Sequence, residues 1–418
     1  MTSFTLDTQA QFLDKLKKKA VEKTKKEAEK RTEKRVNKGI DNAYDSIENQ
    51  IDGKNQDKKG NKQDSTKTVD KSKVVKDKKV TETEKEPQLT TSSKYDFIPG
   101  EKVLLFDDFN SDNVGDFPVI WNTTGSGEVM TTNLYEGRWF KITNARGITT
   151  LNDPLTLPDN YTIEFDVIPQ KDNKNNNNTS FNFYILSTSK PKVLNYGLAR
   201  PGDAAIKFSF QYTDSYLAYF NDKSPDLSGV ENQPRLMADK KYRISIWVQK
   251  ERIRLYVGQE KLFDVPKAMS RNYKYNMIRF DAGAPMISNF RIATGLPDMR
   301  SKLLTEGKLV SYGIYFDVNK DVVKPESFGT IKGIATVLQE NPAVKIKIVG
   351  HTDSDGDDNS NLDLSKRRAA SVKNALVKTF SIEASRIETD GKGEIEPVAP
   401  NDNSTNKALN RRVEFIKM

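Results

Sequence analysis

The stretch Val349-Gly350-His351-Thr352-Asp353, followed by Asn361, Leu364-Ser365, Arg368-Ala369 and Val372, decides how this 418-residue chain is read. The apolar run at 344–349 predicts a strand, and Asp353 then falls on the loop at its C-terminal end, where α/β units collect ligands. Residues 362–380 predict a helix. On it Leu364, Arg368, Val372 and Leu376 step by four and lie along one stripe. Three of them are apolar and face a core; Arg368 is the odd member. A guanidinium on an inward face calls for a carboxylate, because an unpaired buried charge is costly. Arg367, one position back, points toward solvent. Strand and helix are consecutive, so Asp353 and Arg368 are expected to face one crevice. An Asp and an Arg opposed in this way suit a zwitterion: the Arg fork takes a carboxylate bidentately and the Asp takes an ammonium. The bare pair also fits an internal salt bridge that only orders the loop. His351, alone at a strand end, reads as a structural hydrogen-bonding residue.

Outward from this stretch, 314–316 predicts a short strand and 325–339 a helix with Pro325 in its first turn. Further strands are expected at 386–389 and 412–416. Residues 301–418 therefore read as an α+β unit of order βαβαββ with its own core. Residues 96–300 read differently. Short β-type runs at 161–168, 181–186, 205–211, 216–220, 242–249, 252–257 and 287–292 alternate with turn residues, most clearly in Tyr242-Arg243-Ile244-Ser245-Ile246-Trp247-Val248. That pattern predicts an all-β, two-sheet antiparallel sandwich, with 173–179 as an exposed Asn-rich loop. The fold class is thus multidomain.

The N-terminal quarter is of another kind. Residues 1–11 read either as a signal-peptide remnant, since Thr8-Gln9-Ala10 fits a processing site, or as an ordinary N-terminus. Residues 12–52 read as a basic amphipathic helix with a thin apolar stripe; a solvated helix, a partner helix or an anionic surface all fit it. Residues 53–95 read as a disordered linker, too poor in large apolar groups to offset the entropy of ordering.

Composition closes several doors. The chain has no Cys and one His, which excludes disulfides, Cys-based metal sites and His-rich zinc sites. Neither a metal nor a cofactor is expected. No apolar run approaches a membrane helix, so no transmembrane helix is expected. The net charge is +9, but residues 1–95 carry 24 Lys/Arg against 17 Asp/Glu and the remainder carries 43 against 41. The basic excess sits in the tail without interleaved aromatics over 53–94, and this argues against a nucleic-acid partner.

Residues 350–372 resemble the core motif of OmpA-like peptidoglycan-binding domains. Tyr315-Phe316-Asp317-Val318-Asn319 with Pro325 is similar to that family's opening, and Asn410-Arg411-Arg412-Val413-Glu414 to its close. The resemblance implies non-covalent peptidoglycan binding through the diaminopimelate of the stem peptide, with Asp353 on the ammonium and Arg368 on the carboxylate. It also implies that Asn361, Thr352, Phe316 and, more weakly, Arg412 line the pocket. It places the chain in the periplasm of a Gram-negative envelope, associated with the outer membrane or cell wall. Two departures stand out: an unusually acidic loop with Asp355, Asp357 and Asp358, and Asn406-Lys407 where many members have Gly-Arg. The 96–300 segment looks like the concanavalin/laminin-G-like jelly rolls of Bacteroidota-type envelope proteins.

An enzyme is not expected. The acidic clusters Asp107-Asp108 and Asp112/Asp116 lie in a turn-rich stretch where capping or calcium binding fits better than paired acid/base work. Two other functions remain open: glycan binding or cleavage by the sandwich with the C-terminal domain as tether only, and recruitment of an outer-membrane protein by the N-terminal helix.

Overall fold

The computed structural model describes residues 95–418 except 144–146, 172–178, 198–199, 213–214, 222–224, 232–235 and 296–297, and no side chain of 213–235 is described. The readings of 1–11, 12–52 and nearly all of 53–95 lie outside the described residues. Residues 93–418 cluster as one unit.

Alternation in the strand Tyr242–Gln249 shows how the sandwich is built. Ile244, Ile246 and Val248 point into the space between two sheets and are fully buried. The strand sits in an eight-stranded antiparallel sheet, between Arg252–Val257 and Asn160–Ile168, with Met286–Thr294 next in order. A seven-stranded antiparallel sheet, running through Ala204–Gln211, Ser180–Ser187 and Met277–Asp281, faces it. Between the sheets the rings of Phe165, Phe183, Phe280 and Phe290 meet at centroid distances of 4.9–6.4 Å. Such rings supply most of the apolar area a core needs. The strands expected from alternation form at their expected places, with no end displaced by more than two residues. Of the loop expected over 173–179 only Thr179 is described. It is buried rather than exposed, because its Oγ1 donates to the Leu236 carbonyl at 2.6 Å.

The outer face of the Tyr242–Gln249 strand carries Arg243, Ser245 and Trp247, and these are buried too. A half-polar strand normally leaves this face in water. Here the C-terminal domain and the segment 95–97 cover it. Phe97 packs on Trp247 and Tyr256. Gly329, in the helix Phe328–Glu340, meets Phe97 so closely that an added Cβ would lie 2.0 Å from its carbonyl oxygen.

The C-terminal domain holds a four-stranded sheet in the order Lys308–Ser311, Val413–Lys417, Ile346–Gly350, Ile387–Gly391, with only the last pair parallel. Its first strand is Lys308–Ser311, not the expected 314–316. Residues 314–316 instead run along the domain junction, where the Tyr315 amide donates to Ser327 Oγ at 2.8 Å rather than to a neighbouring strand. Two short helices, Met299–Leu304 and Ser404–Asn410, were also not anticipated. The long helix Asp358–Phe380 begins four residues before the expected start because Asp357 caps it, accepting from the Ser360 amide at 3.0 Å.

Candidate functional site at the domain junction

The Ile346–Gly350 strand delivers His351, Thr352 and Asp353 to one end of its sheet, and the long helix brings Asn361 and Arg368 beside them. Gly350 permits this closeness, since an added Cβ would lie 2.3 Å from the Ser365 carbonyl oxygen on that helix. The result is a cavity of about 590 Å³ lined by Phe316, Thr352, Asp353, Asn361, Arg368 and Arg412 together. All six residues anticipated as pocket-lining meet in this one space. Its opposite wall comes from the sandwich, including Asp108, Tyr135, Trp139 and Asn289.

Asp353 and Arg368 are not paired with each other. Arg368 Nε donates to the Lys320 carbonyl at 3.0 Å and Nη2 to the Asp317 carbonyl at 3.3 Å. Its guanidinium lies over the Phe316 ring, 4.9 Å from the centroid. Among the described residues it makes no ion pair, so the expected carboxylate partner is replaced by two carbonyls and an aromatic face. Burial, and then the positive charge of Arg411, push its pKa down to about 10. A half-buried cation without an anion is a site that gains by binding one.

Asp353, 7% exposed, forms its ion pair with Arg411. It also accepts from the Asp355 amide at 3.2 Å. Asn361 orders the loop around it: Nδ2 donates to the carbonyls of Asp353 (3.3 Å) and Asp355 (3.1 Å) and to Glu394 Oε2 (2.6 Å). Thr352 is buried, and among the described residues its Oγ1 has no hydrogen-bond partner. Arg412 is turned inward and fully engaged. It pairs with Glu414 at 2.9 Å and donates to the Glu396 carbonyl at 3.0 Å. Burial alone would raise Glu414, but His351, Lys308 and Arg412 overcome this and hold it far below the usual carboxylate range. His351 is buried with Nε2 3.6 Å from Glu414, and among the described residues neither ring nitrogen has a hydrogen-bond partner, so the expected hydrogen-bonding role is not what its geometry provides.

Arg411 was missed by sequence reasoning, although a signal existed. Arg412 and Glu414 are two apart and share a face, which leaves Arg411 on the other. Arg411 reaches across the junction to Asp108 at 3.2 Å and lies over the Phe106 ring at 5.1 Å. Both departures reach the site. Lys407 pairs with Asp355 at 2.7 Å, and Ala408 lines the cavity. The acidic loop is thereby spent on capping and pairing, and among the described residues no cluster of three or more His, Asp or Glu is set to hold a metal.

The sandwich carboxylates are likewise committed. Asp107 accepts from Trp121 Nε1 and the Phe109 amide, each at 2.9 Å. Asp112 accepts from the Val119 amide at 3.0 Å and Asp116 from Asn113 Nδ2 at 3.1 Å.

Residues 315–411, which hold the parallel pair of the four-stranded sheet, the long helix and the Asp/Arg crevice at the strand ends, match the OmpA family. Outer membrane porin F of Pseudomonas fluorescens is 46% identical over 105 residues, 25% of this chain and 32% of its own length. Probable lipoprotein YiaD of Escherichia coli strain K12 is 43% identical over 102 residues, 24% of this chain and 46% of its own. The chain therefore spans about a third to a half of the length of these curated relatives. Among solved structures, the peptidoglycan-associated lipoprotein from Burkholderia pseudomallei aligns with a TM-score of 0.24 at 28% identity, covering 25% of this chain and 88% of that one. Among the described residues no helix is long and apolar enough to cross a membrane.

Proposed function

We propose that this chain is a cell-envelope protein that holds peptidoglycan without covalent chemistry, gripping the free end of diaminopimelate in the stem peptide. The observation that carries the reading is the state of Arg368: a half-buried guanidinium, stacked on Phe316, with no carboxylate among its described partners. A substrate carboxylate completes it with a bidentate pair. Asp353, in the same cavity, takes the ammonium of the same zwitterion. Thr352 Oγ1 offers a further hydrogen bond, and Asn361 holds the loop in place. We read the 96–300 domain as a jelly roll of the concanavalin/laminin-G type. We place the protein in the periplasm, at the outer membrane or cell wall. We also read it as a binder rather than an enzyme, because Asp107, Asp108, Asp112 and Asp116 are each bound to neighbouring groups rather than paired across a cleft.

The test is co-sedimentation of the whole chain with purified diaminopimelate-type peptidoglycan, wild type beside Asp353→Ala and Arg368→Ala. Retention of the wild type and loss of both variants, with unchanged melting profiles, is the expected result. A wild type that stays in the supernatant refutes the reading. Variants that bind as well as wild type refute the pocket.

A further inference from the structure

The cation that pairs with Asp353 also reaches across the domain junction. Arg411 is shared between Asp353 of the C-terminal domain and Asp108 of the sandwich. Its guanidinium also rests on Phe106, another sandwich residue. The sandwich side of this arrangement is fixed. Asp108 Oδ1 accepts from Ser404 Oγ at 3.1 Å and from the Asn110 amide at 3.2 Å. Thr405 Oγ1 accepts from the Phe106 amide at 3.0 Å and donates to its carbonyl at 3.1 Å, clamping the Ser404–Asn410 helix to the strand Lys102–Asp107. Arg411 itself is less confined, its side chain 29% exposed beside carboxylates that are 9% and 10% exposed.

A ligand ammonium must compete with Arg411 for Asp353, whose Oδ2 already takes Arg411 and whose Oδ1 takes the Asp355 amide. We propose that Arg411 is a displaceable plug on Asp353, and that Asp108 and Phe106 of the sandwich are the second seat that receives it when a ligand ammonium enters. The proposal rests on the peptidoglycan reading above and deepens it: the sandwich is a positioning part of the wall-binding site. Displacement costs Arg411 one carboxylate but not its charge compensation, because Asp108 Oδ2 is already within 3.2 Å. Without Asp108 the guanidinium has Asp353 alone and competes fully with the ligand.

The test is a double-mutant cycle on the whole chain, measuring the dissociation constant for diaminopimelate-type peptidoglycan. Asp108→Asn is expected to weaken binding about fivefold to tenfold, the scale of a partly buried ion pair. Arg411→Gln removes the plug and is expected to bind at least as tightly as wild type. In the Arg411→Gln background Asp108→Asn is expected to change binding less than about twofold, since nothing is left to seat. Phe106→Leu, which keeps Asp108 but removes the ring beneath the guanidinium, shifts binding in the same direction by less and serves if Asp108→Asn does not fold. An Asp108→Asn effect that persists without Arg411, or an Arg411→Gln variant that loses binding as Asp353→Ala does, overturns the proposal. Failure of the wild type to bind instead overturns the peptidoglycan reading beneath it.

Discussion

Tyr315 Oη donates a 2.6 Å hydrogen bond to Glu164 Oε2, joining a residue of the C-terminal domain to a carboxylate that is 1% exposed in the sandwich. Glu164 also takes Arg243 at 3.0 Å and Arg291 at 2.9 Å, and Arg243 sits over the Tyr315 ring at 5.2 Å. Two guanidiniums and one phenol thus share one buried carboxylate, with Asp166 supplying the second negative charge to Arg243 at 3.2 Å. The network makes the junction a specific interface rather than a loose contact.

Removing the phenol hydroxyl in Tyr315→Phe deletes a hydrogen bond to a charged acceptor while leaving both Arg partners in place. The expected loss is about 1.5–3 kcal/mol of unfolding free energy. Glu164→Leu is expected to cost more, about 3–5 kcal/mol, because two buried cations lose their common anion. Urea denaturation of the three proteins checks the ranking, and a Glu164→Leu chain as stable as wild type would contradict it.

Gly350→Ala is expected to damage wall binding through geometry alone. The new methyl would lie 2.3 Å from the Ser365 carbonyl, so the long helix must retreat from the strand. That movement separates Arg368 from Asp353 without touching either side chain. Co-sedimentation with peptidoglycan should fall at least tenfold, as two-point recognition requires fixed spacing. The melting temperature should fall as well. Binding that survives intact would mean that the spacing is not what the ligand reads.

Arg368→Lys tests whether the fork matters. Lysine keeps the charge but cannot make the bidentate pair, and it sits less well on an aromatic face. Peptidoglycan affinity is expected to drop about tenfold, a difference of roughly 1.4 kcal/mol. An affinity equal to wild type would show that only a positive point charge is needed.

Asp107 supplies a pH signature. Burial, with Asp112 and Asp108 adding to it, pushes its carboxyl up to about 7 against the pull of Trp121 and the Phe109 amide. The folded state therefore keeps a proton that the unfolded chain releases near pH 4. The stability this confers is full at low pH and is lost as pH rises toward 7. Between pH 5 and pH 8 the wild type should lose about 2–3 kcal/mol more than Asp107→Asn, which has no proton to release. Equal pH slopes in urea denaturation would remove Asp107 as the cause.

How far the sequence could be read depended on whether a signal was local. The strand Tyr242–Gln249 was legible because Ile244, Ile246 and Val248 alternate over seven residues. Asp353 and Arg368 were legible because a strand end and a helix stripe lie fifteen residues apart. The junction was not, because Tyr315 and Glu164 are 151 residues apart and neither looks unusual in its own segment. Arg243 and Ser245 are the polar half of that alternation, and nothing in it said that another domain would cover them. The expected strand at 314–316 failed for the same reason: its apolar and aromatic side chains serve the junction, not a ladder. Arg411 was passed over for Arg412 because identical neighbours differ only in which way the chain turns them.

Tyr95, where the described chain begins, bonds through its hydroxyl to the Glu326 carbonyl at 3.3 Å, and Phe97 lies against Gly329. The point at which the preceding residues join this unit is thus fastened to the C-terminal domain before the first sandwich strand starts. A pull applied at Tyr95 against a wall-held pocket would load the helix Phe328–Glu340 and its own sheet. Phe97 also packs on Trp247 and Tyr256, and Tyr256 Oη donates to Asp96 at 2.8 Å, so the edge of the sandwich would share that load.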